Sequence, residues 1–223
     1  MKRLCVGIAL LTLTTSLPAT ADIISGVVTG GTALTAGGTF VKLTVPLSNP
    51  FGPPDSVGDD NFQSPNLFGF DEDQNILLTA PLVVNVGSSP IPAGTVVASH
   101  YIFFDPGPTE QVIGTVNFDS DVLAILTSTD TLAASDFLAK TGVNYLSPTE
   151  RGLEAGDSVT ISGPQQILFD TTASSPGDYV RVLTAFSPGA VTTAAATPEP
   201  ESVVLVGSGL MALATLMRRR IRF

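Results

Sequence analysis

His100 is the sequence's only histidine. It stands between Ser99 and Tyr101, so nucleophilic hydrolysis with a histidine base is the first chemistry to weigh. On a strand Ser99 and His100 point to opposite faces, and adjacency then gives no hydrogen-bonded nucleophile and base. No G-x-S-x-G elbow is present to support such a pair. A structural histidine is the expectation. Zinc is poorly served too, because one histidine and one cysteine, Cys5, cannot supply the usual nitrogen and sulfur ligands. Neither a G-x-x-x-x-G-K-[ST] phosphate loop nor a dinucleotide fingerprint behind a strand occurs. The residues therefore predict a non-enzymatic protein.

Carboxylates are the chemistry that remains. Asp59-Asp60-Asn61 precedes Asp71-Glu72-Asp73-Gln74-Asn75, and oxygen ligands at alternate positions of a turn can wrap a hard cation. The run is no EF-hand, since Ile76 stands where that loop needs glycine and Leu82 where it needs glutamate. A calcium site of another kind would use Asp59, Asp60, Asp71, Asp73 and Asn75, with Asp119 and Asp121 as a second D-x-D turn. The plainer reading, which we prefer, has these acids capping turns and keeping the surface soluble. A secreted carbohydrate-active enzyme working with two carboxylates is the alternative from another class. The absence of tryptophan removes the commonest sugar-stacking side chain and ranks it below a binding role.

The elements that would carry these residues read as β-structure. Gly, Pro, Ser, Thr, Asn and Asp punctuate the chain every eight to twelve residues, and the segments between are short and rich in Val, Ile, Phe and Thr. That is the pattern of an all-β sandwich or barrel. In residues 40–45, Val41, Leu43 and Val45 alternate with Lys42 and Thr44, as a half-buried strand does, and Pro46 ends it. Similar strands are expected over 23–28, 82–86, 95–104, 111–118, 122–127, 158–162, 167–169 and 179–184. These nine or so strands suit an antiparallel sandwich. One short helix is expected over 131–140, with Leu132, Phe137 and Leu138 sharing a face and Gly142 as a stop. Residues 48–63, with four prolines and glycines among their first seven positions, are too proline-rich for a strand and mark a mobile or functional loop.

Both ends carry addressing features. Lys2 and Arg3 precede an apolar run to Leu13, and Ala19-Thr20-Ala21 follows. A positive start, an apolar stretch too short to span and an A-x-A site make a secretion signal over residues 1–21, cut by signal peptidase after Ala21. Cys5 leaves with it, so the exported chain has no disulfides. Between residues 22 and 197 only Lys42, Lys140, Arg151 and Arg181 are basic, against eighteen acids, a net charge of −14. Such a body does not bind nucleic acid or anionic lipid by electrostatics. Cations, neutral glycans and proteins are the partners it fits.

At the other end, a spacer over 188–197 leads to Pro198-Glu199-Pro200, then residues 203–217 without a charge, then Arg218-Arg219-Arg220. A helix over 203–217 measures roughly 22 Å against a hydrocarbon core of about 30 Å, a marginal anchor. The arginines put its end in the cytoplasm by the positive-inside rule, with the body, residues 22–187, outside. This tripeptide, helix and arginine cluster resemble the PEP-CTERM sorting signal of Gram-negative bacteria. The resemblance covers residues 197–223. It implies recognition of Pro198, Glu199 and Pro200 by exosortase, a membrane enzyme, with transient inner-membrane anchoring. Delivery to the cell surface or the extracellular polysaccharide matrix would follow.

Overall fold

The computed structural model describes residues 21–186. Ala19, the spacer, the Pro198-Glu199-Pro200 motif, the 203–217 helix and Arg218, Arg219 and Arg220 lie outside the described residues. The described chain runs β1 (Ile23–Gly30), α1 (Gly31–Thr35), β2 (Phe40–Lys42), β3 (Ser56–Val57), β4 (Leu67–Asp71), β5 (Ile76–Leu77), β6 (Val86–Gly87), β7 (Val96–Phe104), β8 (Glu110–Phe118) and β9 (Val122–Leu126). It continues through α2 (Thr129–Ala134), a 3-10 turn at Asp136–Leu138, β10 (Asn144–Tyr145), a second 3-10 turn at Pro148–Glu150, β11 (Ser158–Gly163), β12 (Gln166–Ala173) and β13 (Asp178–Ala185). No helix among the described residues is long and apolar enough to cross a membrane.

The all-β expectation holds at the level of class, and the strand inventory is corrected. Thirteen strands stand where about nine were expected, because β3, β5, β6 and β10 are two-residue pairings without an alternating pattern of their own. The sheets are mixed, since β2 pairs with β4, and β3 with β10, in parallel. One four-stranded sheet has the order β1-β8-β12-β11, and a larger one has β2-β4-β7-β13-β9-β6 with β5 against β7.

The two sheets differ in how they meet water. Along β8 the inward Val112, Val116 and Phe118 alternate with half-buried neighbours, the pattern of a sheet with one solvated face. In the larger sheet β7 and β13 are buried almost end to end. One face, carrying Leu67, Ile102, Phe104, Val180 and Val182, packs with Val116, Phe118, Ile167 and Phe169 of the smaller sheet. The other carries Phe68, Phe70, Tyr101, Phe103, Tyr179 and Leu183 against a cover that includes Leu47, Val57, Phe62, Leu82, Leu132 and Leu138. An aromatic row runs through this second core, with ring centroids 5.2 Å apart for Phe68 and Phe103, 5.5 Å for Phe103 and Tyr179, and 5.1 Å for Tyr101 and Tyr145. Offset and edge-on ring pairs of this kind add to the area they bury.

The cover contains the two segments where the sequence misleads. Residues 48–63, expected as a loop without a strand, include β3 and bury Phe62. Asn61 donates to Ser56 Oγ at 2.7 Å, and that hydroxyl donates to Pro53 O at 2.6 Å. The expected helix over 131–140 is α2 followed by a 3-10 turn. Asn85 Oδ1 accepts from Thr127 N, Ser128 N and Thr131 Oγ1, and Ser128 forms a capping box with Thr131. Leu132 and Leu138 are buried, but Phe137 is 57% exposed. The break after Ala134 rotates it off their face.

Candidate functional site

The three consecutive acids at the end of β4 go three different ways: Asp71, its last residue, and Glu72 take opposite faces as strand alternation requires, and Asp73 lies beyond the strand. Asp71 points between the sheets. It meets Lys42 Nζ at 2.7 Å and His100 Nδ1 at 2.7 Å, and accepts from Ile23 N. His100 Nε2 lies 3.0 Å from Thr184 Oγ1. Burial opposes ionisation of Asp71, but His100, Lys42 and the Ile23 N–H together hold its pKa below the ordinary carboxylate value.

Glu72 points to the covered face, where Arg181 of β13 approaches from across β7. Arg181 Nε donates to Oε2 at 2.7 Å and Nη2 to Oε1 at 2.9 Å, and neither side chain has any exposure. Ser99 Oγ and Tyr145 Oη also donate to the carboxylate, at 2.6 and 2.5 Å. The remaining nitrogen, Nη1, donates to Leu132 O and Ser135 Oγ of the cover. The guanidinium carbon sits 5.7 Å from the Tyr101 ring centroid. The cluster therefore ties β4, β7, β13 and α2 together. Asp136 adds a link, accepting both terminal nitrogens of Arg151 at 2.8 and 2.9 Å.

Asp73 accepts from Thr141 Oγ1 at 2.6 Å and lies 3.5 Å from Lys140 Nζ. Every basic side chain of the body is thus held by a carboxylate: Lys42 by Asp71, Lys140 by Asp73, Arg151 by Asp136 and Arg181 by Glu72. Ser99 and His100 face opposite ways and contact different acids, as strand geometry requires. No family profile, curated protein or solved structure matches the chain.

The other residues of the calcium reading are spread over the fold. Asp71 and Asp73 are engaged as described. Asp59, Asp60 and Asn75 take left-handed backbone conformations, with φ of 55°, 57° and 57°, which Asp and Asn tolerate in turns. Asp60 accepts from Ser175 Oγ in the β12–β13 turn, and its charge acts on Asp105, whose Oδ2 accepts from Phe62 N at 3.0 Å. Burial, with the Asp60 charge adding to it, pushes Asp105 up to about 6. Among the described residues no three of the His, Cys, Asp and Glu side chains converge closely enough to hold a metal by themselves. Asp22 N donates to Asp119 Oδ1 at 2.9 Å, joining the start of the body to the β8–β9 turn.

The buried fork is what sequence reasoning missed, since Glu72 was placed with the solvated acids. A signal for it existed. Tyr179-Val180-Arg181-Val182-Leu183 sets one arginine in an apolar strand, and a buried cation requires a partner.

Proposed function

We propose that the protein is an exported cell-surface or extracellular-matrix protein, sorted and processed by an exosortase-type membrane enzyme, whose body has a structural or binding role. One observation carries the sorting half: Pro198-Glu199-Pro200, an uncharged stretch over 203–217 and Arg218-Arg219-Arg220 follow one another in that order. The apolar stretch is short for a permanent anchor, which suits a tail that is held and then cut.

Support for the role of the body comes from where its polar groups are spent. All four cations are paired with carboxylates, Arg151 and Arg181 in the interior and Lys42 and Lys140 at the surface, so none stands as a ready site for a phosphate or sulfate. The paired acids that a glycosidase would need are not Asp71 and Glu72, because these are neutralised by Lys42 and Arg181. The remaining surface is strongly acidic, which keeps a secreted protein soluble. It suits neutral polysaccharide, other proteins or cations as partners.

The test is a pair of tail variants followed by cell fractionation. Arg218→Ala/Arg219→Ala/Arg220→Ala removes the positive-inside stop, and the chain is expected to slip or be released unprocessed. Glu199→Ala lies outside the apolar stretch and is expected to insert normally but accumulate at full length in the inner membrane. If both variants are processed and delivered like the natural chain, the tail is a plain anchor and the sorting reading falls.

A further inference from the structure

Both ends of the body meet at the β8–β9 turn, residues 119–121. Asp22 N donates to Asp119 Oδ1 at 2.9 Å, and Asp119 N donates back to Asp22 O at 3.1 Å. Asp121 O accepts from the N–H of Ala185, the last residue of β13, at 2.8 Å. The turn therefore holds the entrance of the first strand and the exit of the last. Ile23 is fixed beside it, since its N–H donates to Asp71 Oδ1 at 2.9 Å and its carbonyl accepts from Lys42 Nζ at 2.8 Å. The nitrogen of Asp22 is thus held in place by its own bond and by its neighbour's, where the start of a domain without such bonds frays.

Asp22 is also the first residue of a chain cut after Ala21. In the uncut chain its nitrogen is a peptide N–H with one proton and no charge. Hydrolysis adds water across the Ala21–Asp22 bond: Ala21 leaves with a carboxylate, and the nitrogen becomes an ammonium at neutral pH. The neutral hydrogen bond to Asp119 then becomes an ion pair, and such charge-assisted bonds are the stronger kind. Asp119 is half-buried, so solvent and salt screen the pair less than on open surface. Ala21 is buried, and the other ammonium protons face the space that it leaves.

We propose that the β8–β9 turn is a binding site for the α-amino group that N-terminal processing creates, with Asp119 as its counter-ion. Processing then does more than remove the signal, because it strengthens the join that also holds the end of β13. The titratable groups on the elements packed here are Asp22 itself, Asp119 and Asp121 of the turn, Lys42 of β2, Asp71 of β4 and His100 of β7. Lys42 and His100 both contact Asp71 at 2.7 Å, and Lys42 reaches Asp22 Oδ1 only at 3.9 Å, so Asp119 is left to the amine. An α-amine ordinarily titrates at about 7.7–8.0, and a carboxylate in contact raises that value. The stabilisation is therefore fully present below the ordinary value and is lost as pH rises through the raised one. The proposal rests on the reading that signal peptidase cuts after Ala21, and not on the sorting tail.

The test uses the exported protein recovered from cells, its start read by N-terminal sequencing. Acetylation at about pH 6.5, where lysines stay protonated, blocks the α-amine alone. The acetylated chain should melt roughly 2–4 °C below the free one at pH 7. That gap should close by about pH 10, where the amine is neutral and Lys42 is the same in both chains. The rate of acetylation against pH also gives the amine pKa, expected to lie about 0.5–1 above that of the same chain in urea, a roughly three- to tenfold loss of reactivity near pH 7. This comparison needs only the natural chain. Asp119→Asn keeps an oxygen for the N–H but not the charge, and should abolish both effects. A start other than Asp22 overturns the reading of the cut and the proposal with it. With a start at Asp22, equal melts at pH 7, an amine pKa that folding does not raise, or effects that survive Asp119→Asn each overturn the proposal alone.

Discussion

Arg181 and Glu72 close a two-bond fork in the interior, 2.7 and 2.9 Å long, with no part of either side chain exposed. Tyr145 and Ser99 complete the acceptor side, and Leu132 and Ser135 take the outward guanidinium nitrogen. The fork fastens the cover to the larger sheet by directional bonds, where the surrounding aromatic contacts are non-directional.

Removing one half of this pair leaves a charge in the interior. Glu72→Gln or Arg181→Met should each cost about 3–5 kcal/mol, while replacing both by apolar residues should cost less than either alone. Tyr145 and Ser99 keep the recovery partial, because their hydroxyls lose their acceptor. A double-mutant cycle in urea measures the coupling. Additive costs would show that the two side chains act independently.

Phe40 occupies a slot made by two glycines. A Cβ on Gly26 of β1 would lie 2.4 Å from Phe40 Cγ, and one on Gly69 of β4 would lie 3.4 Å from Phe40 Cζ. Gly26→Ala forces the body of the ring to shift and should destabilise by about 1–3 kcal/mol. Adding Phe40→Leu should recover part of that loss, and the unfolding midpoints of the three chains decide it.

Stability should fall as pH rises from about 4 to about 7. Asp105 and Asp178, lifted to about 6 and about 7, bind protons in the native chain over a range where the unfolded chain, with ordinary carboxylates near 3.9, has released them. Asp71 and Asp136 work in the opposite sense, since both are held low by their partners. Their contribution is lost as pH drops below about 4. The urea midpoint should therefore be higher at pH 5 than at pH 8, and Asp105→Asn/Asp178→Asn should flatten the difference. A midpoint that rises steadily from pH 5 to pH 8 would contradict these assignments.

The strand expected over 40–45 was legible only in its first half, since β2 stops at Lys42 and Val45 is exposed; the long strands β1, β7, β8 and β13 were legible, because length and β-branched content agree there. β4 was not. Leu-Phe-Gly-Phe-Asp carries a glycine that reads as a break, and only the neighbouring Ile23, Phe40 and Ile102 reveal that its missing side chain makes room for theirs. The acid run was read by the rule that charges in series are solvated. On an extended segment that rule fails at every second position. Glu72 is buried for that reason, and the single arginine of β13 was the available clue.

Intact-mass analysis of the protein recovered from fractionated cells tests the central reading most directly. The account predicts a species that begins at Asp22, ends at or near Pro198-Glu199-Pro200, and lies in the surface or released matrix fraction. A full-length species of 23.0 kDa that begins at Met1 and stays with the inner membrane would contradict it.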